Sequence, residues 1–186
     1  MNGNADEFKI VFTGPMGAGK TTAIAAISDT PPVCTEVANS DRFGHEKPFT
    51  TVGIDFGRIQ LDDGQLVRLY GTPGQARFRL MWEIVGRNAA GIVVLVDAAQ
   101  PDAPAQMCQF VDAFRTLAPA AAMVVGVGRT SEPGAPASEA FATQLEDRGI
   151  VIPVLSVDVR RREDVLLILQ TLLCIVEANA GTEIAA

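Results

Sequence analysis

Hydrophobic and polar positions change period repeatedly along this chain, and the changes mark its elements. Phe8 to Thr13 is a short apolar run that predicts a buried strand. Ala23 to Ser28 follows as a helix-prone Ala/Ile stretch. Asp29 to Pro48 shows no period and holds three prolines, so it predicts a long irregular segment of the kind that usually carries function. Thr50 to Leu61 predicts a strand, Asp62-Asp63-Gly64 a hairpin turn, and Gln65 to Tyr70 the returning strand, an antiparallel pair at a sheet edge. Gly71-Thr72-Pro73-Gly74 breaks the chain, after which Phe78, Met81, Trp82 and Val85 recur at helical spacing within Gln75 to Asn88. Gly91 to Val96 is continuously apolar and β-branched and ends on Asp97, the mark of a central parallel strand.

The second half repeats the alternation. Pro101 to Leu117 predicts a helix with Pro101 near its first turn. Ala121 to Val127 predicts a buried strand, Ser131 to Ser138 a Pro/Gly/Ser loop, and Glu139 to Arg148 a helix stopped by Gly149. Ile150 to Val157 is the last predicted strand. Arg161 to Ala178 predicts an amphipathic helix whose stripe of Val165, Ile168, Leu169, Leu172 and Ile175 faces the core. The order β-α-β-β-α-β-α-β-α-β-α gives six strands and five helices. The class is α/β: a six-stranded, mostly parallel sheet with one antiparallel edge hairpin and helices on both faces. The reading is a single domain over residues 1–186, with a core at 8–178, and any ligand site belongs at the carboxyl ends of the strands.

The first strand–helix junction carries the chemistry. Gly14-Pro15-Met16-Gly17-Ala18-Gly19-Lys20-Thr21 fits G-x-x-x-x-G-K-[ST], the phosphate-binding P-loop, between the strand and helix that the motif requires. Glycines let the backbone wrap so that successive N–H groups point inward at a polyphosphate, and the following helix, through Thr22, adds its positive end. Lys20 would reach the outer phosphates and the Thr21 hydroxyl would ligate Mg²⁺. The class is therefore a P-loop NTPase.

Composition narrows the partners. The chain is 48% apolar, enough for a sizeable core, and carries a net charge of −7 without a Lys/Arg block. That balance argues against nucleic acid or an anionic membrane as the main partner. Cys34, Cys108 and Cys174 are odd in number and widely spaced, which fits neither a disulfide framework nor a zinc site and points to a reducing compartment. Cys34 is the thiol most open to reaction. The polar start MNGNADE predicts no secretory leader, the longest apolar run (Ala89 to Val96) is too short for a bilayer, and no lipidation motif is present. A cytoplasmic protein without an intrinsic membrane anchor is the expectation.

With a P-loop on its first strand, this order resembles the small Ras-like GTPase fold over residues 8 to 178. Thr51-Val52-Gly53-Ile54-Asp55-Phe56 resembles the T-I-G-x-D-F of switch I, which implies that Thr51 closes onto Mg²⁺ and the γ-phosphate. Gly71-Thr72-Pro73-Gly74-Gln75 resembles the D-x-x-G-Q of switch II, which implies that the Gly74 N–H senses the γ-phosphate and Gln75 orients the attacking water. Catalysis would then rest on Gln75, Lys20 and Thr51, with GTP or GDP and Mg²⁺ as ligands. Gly128-Arg129-Thr130-Ser131 stands where N-K-x-D reads guanine, and Ser156-Val157-Asp158 where S-A-K supports it. The phrases LYGTPGQARF…MWE and PVLSVDVRRREDV look closer still to one subgroup, the bacterial Ras-like GTPases related to the polarity protein MglA and to GTPases paired with roadblock-domain proteins. That resemblance implies a switch in polarity, motility or signalling, a roadblock-type regulator and an effector.

The departures are informative. Gly71 replaces the switch II Asp that holds Mg²⁺ through water. Ser131 replaces the guanine-reading carboxylate, a bidentate contact of about 2 to 4 kcal/mol, although Glu132 is adjacent if the loop shifts by one residue. Met16 stands where Ras proteins commonly have Gly, so it would crowd Gln75 and slow hydrolysis. Thr50 replaces the arginine that serves the MglA group as an internal finger; Arg42, Arg58, Arg77 and Arg79 are nearby, though each reads first as a surface charge.

Asp97 reads in two ways, as a Walker B ligand of Mg²⁺ or, preferably, as a loop-start Asp bonding local backbone. His45 reads as a surface residue, and Trp82 as core before effector anchor. Three functions stay open: a GTPase switch, a nucleotide-binding pseudo-GTPase scaffold, and a P-loop ATPase or small-molecule kinase. Gly71, Met16 and the altered base motif motivate the second, and Asp97 the third.

Overall fold

A computed structural model describes residues 7–33, 36–38, 49–51, 53–62 and 64–183. Its main sheet has six strands: β1 (Glu7–Thr13), β4 (Asp55–Gln60), β5 (Leu66–Gly71), β6 (Gly91–Asp97), β7 (Ala122–Gly128) and β8 (Val154–Ser156). The spatial order is β4-β5-β1-β6-β7-β8, with only the β4–β5 hairpin antiparallel. The helices are α1 (Lys20–Ile27), α2 (Arg79–Gly86), α3 (Ala103–Leu117), α4 (Ser138–Glu146) and α5 (Arg162–Glu183). This is the architecture of a P-loop, Ras-like GTPase fold.

Strand periodicity explains why both faces are covered. Along β6, Ile92, Val94 and Val96 join one apolar cluster with Trp82, Phe110, Phe114 and Phe141 from α2, α3 and α4. Val93 and Leu95 join the opposite cluster with Ile24 and Ile27 of α1 and Val165, Ile168, Leu169 and Leu172 of α5. A strand apolar on both faces is buried only between two helical layers. The α5 stripe is spent there; only Ile175 lies half-buried. Over Arg162–Gly181 this helix is long and apolar enough, by length and composition, to cross a membrane, yet its most apolar face already packs on the sheet.

Several elements differ from expectation. The strand foreseen over 50–61 is two: β3 (Phe49–Thr51) leaves the main sheet and pairs antiparallel with β2 (Glu36–Ala38), inside the stretch expected to be irregular. Val33 and Phe56 exchange both backbone hydrogen bonds at 3.0 Å, so the returning chain occupies the outer edge of β4 at that point. The last strand shortens to Val154–Ser156 because Pro153 has no N–H to extend the ladder; only its carbonyl is used, by Val125 N–H at 2.9 Å. Helix α2 is preceded by a 3₁₀ turn (Ala76–Phe78), and α3 begins at Ala103, leaving Pro101 outside it.

Candidate nucleotide site

The P-loop leaves the carboxyl end of β1, flanked by β5 and β6. Gly14 has φ 133°, and a Cβ there would lie 1.9 Å from the Leu95 carbonyl oxygen, so no other residue fits. At Gly19, the α1 N-cap with φ 89°, an added Cβ would lie 2.6 Å from Val159 Cγ2. Helix α1 has no side-chain cap and no acid in its first turn, which leaves its positive end for an anion. Lys20 is buried, and its Nζ donates to the carbonyls of Gly14 at 2.9 Å and Pro15 at 2.7 Å, across the loop mouth.

The residue that sequence reasoning missed lies beside Thr21. The Thr21 hydroxyl donates to Asp55 Oδ2 at 2.7 Å. Asp55 is 1% exposed, and its other oxygen has no hydrogen-bond partner among the described residues. It faces Gly71 across the β4–β5 ladder, where an added Cβ would sit 2.9 Å from Asp55 Oδ2. The cross-strand partner of position 71 thus places a carboxylate beside it, and Gly71 leaves the space for that group. The available signal was an Asp on the inward period of β4, in phase with Gly57 and Ile59.

A buried carboxylate with an unpaired oxygen next to a P-loop hydroxyl fits Mg²⁺, which takes hard oxygen ligands. Among the described residues there is no cluster of three or more His, Cys, Asp or Glu, so the remaining ligands would be phosphate oxygens, water and Thr51. Thr51 ends β3, and its side chain lies outside the described residues. Cys34, Arg42 and His45 lie outside them too.

Switch II is fastened to the P-loop. Thr72 Oγ1 donates to Thr13 Oγ1 at 2.9 Å, both fully buried, and Thr72 N–H donates to the Phe12 carbonyl at 2.9 Å. Gly74 lies so close to the Pro15–Met16 backbone that an added Cβ would be 2.4 Å from Met16 N. Gln75 Nε2 donates to Met16 Sδ at 3.4 Å, while its Oε1 is buried without a partner among the described residues. Trp82 is core: its Nε1 donates to the Pro73 carbonyl at 2.8 Å, and its ring packs on Phe110 and Phe114 at 4.8 and 6.0 Å between centroids. Leu80 and Ile84, one turn apart on α2, face solvent instead. Arg77 lies over the Phe78 ring, Arg58 is exposed on β4, and Arg79 borders a cavity shared with Met16 and Gln75.

At the other end a cavity of about 630 Å³ brings together Gly17, Ala18, Gly19 and Thr22 with Gly128, Arg129, Ser131, Ser156, Val157 and Asp158. Pro15, Met16 and Gly74 line the switch II cavity instead. Asp97 belongs to the first cavity and is taken up locally: it accepts from Ala99 N–H at 3.0 Å and Gln100 Nε2 at 3.4 Å, and pairs with the Arg129 guanidinium. This is the loop-bonding arrangement rather than a Walker B one. The Thr130 and Ser156 hydroxyls are 2.7 Å apart. Val157 N–H is committed to the sheet, donating to the Val127 carbonyl at 2.9 Å, and Asp158 N–H to Asp164 Oδ2 at 2.9 Å. Side-chain hydrogen bonds from the Arg160 guanidinium, then its backbone N–H, lower the Asp158 pKa to about 2.

No family model matches the chain. It is 29% identical over 133 residues to GTP-binding protein ypt4 of Schizosaccharomyces pombe, covering 67% of this chain and 51% of that protein. It is 30% identical over 95 residues to the uncharacterized protein MJ1339 of Methanocaldococcus jannaschii, 51% of this chain and 54% of that one. It is 30% identical over 97 residues to ADP-ribosylation factor-like protein 8b of Arabidopsis thaliana, 52% and 45% respectively. The chain thus spans about half the length of the curated relatives it matches. Such similarities link it to the small-GTPase superfamily.

Proposed function

We propose that this chain is a guanine-nucleotide switch that binds GTP and GDP with Mg²⁺ and hydrolyses GTP slowly. The observation that carries the reading is the contact of the phosphate loop, at Pro15 and Met16, with Gly74 and Gln75. A change in the outer phosphate is then felt directly by the segment that begins at Gly71.

The geometry supports the following roles. Lys20 and the α1 N-terminus neutralise phosphate charge. Thr21 and Asp55 would hold Mg²⁺, which would supply positive charge to neutralise the phosphates. Gln75 Oε1, buried and without a partner among the described residues, is the acceptor that would orient an attacking water. Its amide nitrogen rests on the Met16 sulfur, a weak acceptor, and the bulk of Met16 restricts the amide. Slow turnover that a partner speeds up is the expected behaviour. We extend the proposal to a roadblock-type regulator and an effector in bacterial polarity, motility or signalling, acting in the cytoplasm. The solvent-facing Leu80 and Ile84 beside switch II support a protein output.

A scaffold with little catalysis is the second reading, favoured by the Met16–Gln75 contact. Binding of GDP, GTP, ADP and ATP to nucleotide-stripped protein, with and without Mg²⁺, tests the proposal. Guanine preference with turnover supports it. Guanine preference without turnover supports the scaffold, and equal adenine binding points to an ATPase.

A further inference from the structure

The hairpin of β4 and β5 is packed on one face only. Ile59, Val67 and Leu69 face α1 and lie in the core. The alternate positions point the other way, where Arg58 and Arg68 are exposed. From these two strands, the apolar cluster on that side takes only the half-buried Tyr70. Among the described residues, no helical layer covers this face beyond Tyr70.

Register sets three cations side by side there. Arg58 is directly opposite Arg68 in the β4–β5 ladder, and Arg68 neighbours Lys9 across the parallel β5–β1 pair. Adjacent strands lie about 4.8 Å apart, so the three backbone positions fall within about 10 Å. Like charges at opposed positions destabilise a sheet. Among the described residues one carboxylate answers them: Glu7 pairs with Arg68. Lys9 donates to the Arg87 carbonyl at 2.8 Å and lies 5.3 Å from the Tyr70 ring centroid, and neither group carries a formal negative charge. The Arg58 guanidinium has no partner among the described residues.

This row is opposite in sign to the chain, whose net charge is −7, and it comes from positions scattered along a sequence without a Lys/Arg block. Solvation leaves the repulsion in place, whereas a negatively charged partner removes it. The row lies toward the amino ends of β1 and β5, away from the phosphate loop at the carboxyl end of β1. Beside it, Phe56 and Tyr70 are half-buried and meet edge-on at 5.3 Å between centroids, an apolar border.

We propose that this face of β4, β5 and β1 docks an acidic polypeptide segment, with carboxylates on Lys9, Arg68 and Arg58 and an apolar side chain on Phe56 and Tyr70. The charge of the whole protein disfavours a long polyanion or an anionic lipid surface, while a short acidic segment meets only the patch. The surface is separate from the nucleotide site and needs no part of the nucleotide reading.

The test uses the full chain and a fluorescein-labelled peptide of alternating glutamate and leucine, read by anisotropy. A glutamine-for-glutamate peptide, polyuridylate and phosphatidylserine vesicles are measured alongside. Wild type is expected to bind the glutamate peptide above the glutamine one, and more weakly as salt rises. Arg58→Glu should weaken it at least about tenfold, while Arg58→Lys keeps it within about twofold. Arg58→Gln should shift it in the same direction as Arg58→Glu, and Arg115→Glu, a reversal on the exposed side of α3, should change little. Far-UV circular dichroism matching wild type shows that a variant is folded. Equal binding of the two peptides by wild type, retention in Arg58→Glu, or equal loss in Arg115→Glu overturns the inference. Arg58-dependent binding of polyuridylate or the vesicles but not of the peptide overturns the polypeptide assignment. GDP binding, measured on the same samples, decides the nucleotide reading separately from all of these.

Discussion

Thr21 and Asp55 meet at 2.7 Å, hydroxyl to carboxylate, across 34 positions of sequence. The contact joins the end of the phosphate loop to the first residue of β4 and sets two hard oxygen groups side by side: Thr21, which the sequence pattern singled out, and Asp55, which it did not. It predicts that Asp55→Asn weakens Mg²⁺-dependent nucleotide binding at least about tenfold, while binding in EDTA changes little. Titration of GDP at several Mg²⁺ concentrations measures both. If Asp97→Asn, rather than Asp55→Asn, removed the Mg²⁺ effect, the ligand assignment would be wrong.

Gly71 is the counterpart of that carboxylate. An added Cβ meets Asp55 Cβ and Oδ2 at 2.9 Å and Ile24 Cδ1 at 3.0 Å. Gly71→Ala is expected to cost about 1–3 kcal/mol through overpacking, read as a lower Tm in thermal denaturation. Gly71→Asp, which restores the usual motif letter, should be worse still, since it sets a second carboxylate against a buried first one. A stabilised Gly71→Asp protein would show that β4 and β5 separate here.

Met16 and Gln75 make a different prediction. Replacing the thioether removes both the weak acceptor and the bulk beside the amide, so Met16→Gly is expected to raise single-turnover GTP hydrolysis several-fold. Rates equal to wild type, with and without a stimulating partner, would refute crowding as the cause of slow turnover.

Trp82 is the chain's one tryptophan and is hydrogen-bonded to Pro73 inside switch II. Its emission is expected to change when GDP is exchanged for a non-hydrolysable GTP analogue. Trp82→Phe keeps the packing on Phe110 and Phe114 but leaves the Pro73 carbonyl unpaired, for a loss of about 1–3 kcal/mol in denaturant unfolding. Unchanged emission on exchange would mean that Pro73 does not move with the nucleotide.

Asp158 gives a pH dependence of known sign. Its pKa falls from 3.8 to about 2 because Arg160 bonds the ionised form. A lowered carboxylate pKa stabilises the fold above the unfolded value and loses that contribution as pH drops from about 4 to about 2. Arg160→Ala should bring Asp158 back toward the ordinary carboxylate range and remove this part of the acid sensitivity. NMR titration of the Asp158 carboxyl carbon reads the shift directly.

What the sequence determined by itself was local. The P-loop spells its function in consecutive residues, Gly14 to Thr21, because one turn of backbone does the binding. The central strands were legible because Ile92 to Val96 is apolar on both faces, and α5 because its stripe keeps the helical period. Tertiary structure decided what depends on register and on packing between distant segments. Asp55 replaces a side chain at position 71 only because the hairpin sets the two opposite each other, a relation that no local pattern encodes. Asp97 faces Arg129 rather than Thr21, and Trp82 turns inward while Leu80 and Ile84 turn out. Each outcome is fixed by what the neighbouring strand or helix offers at contact distance, a few ångströms in space and dozens of residues along the chain.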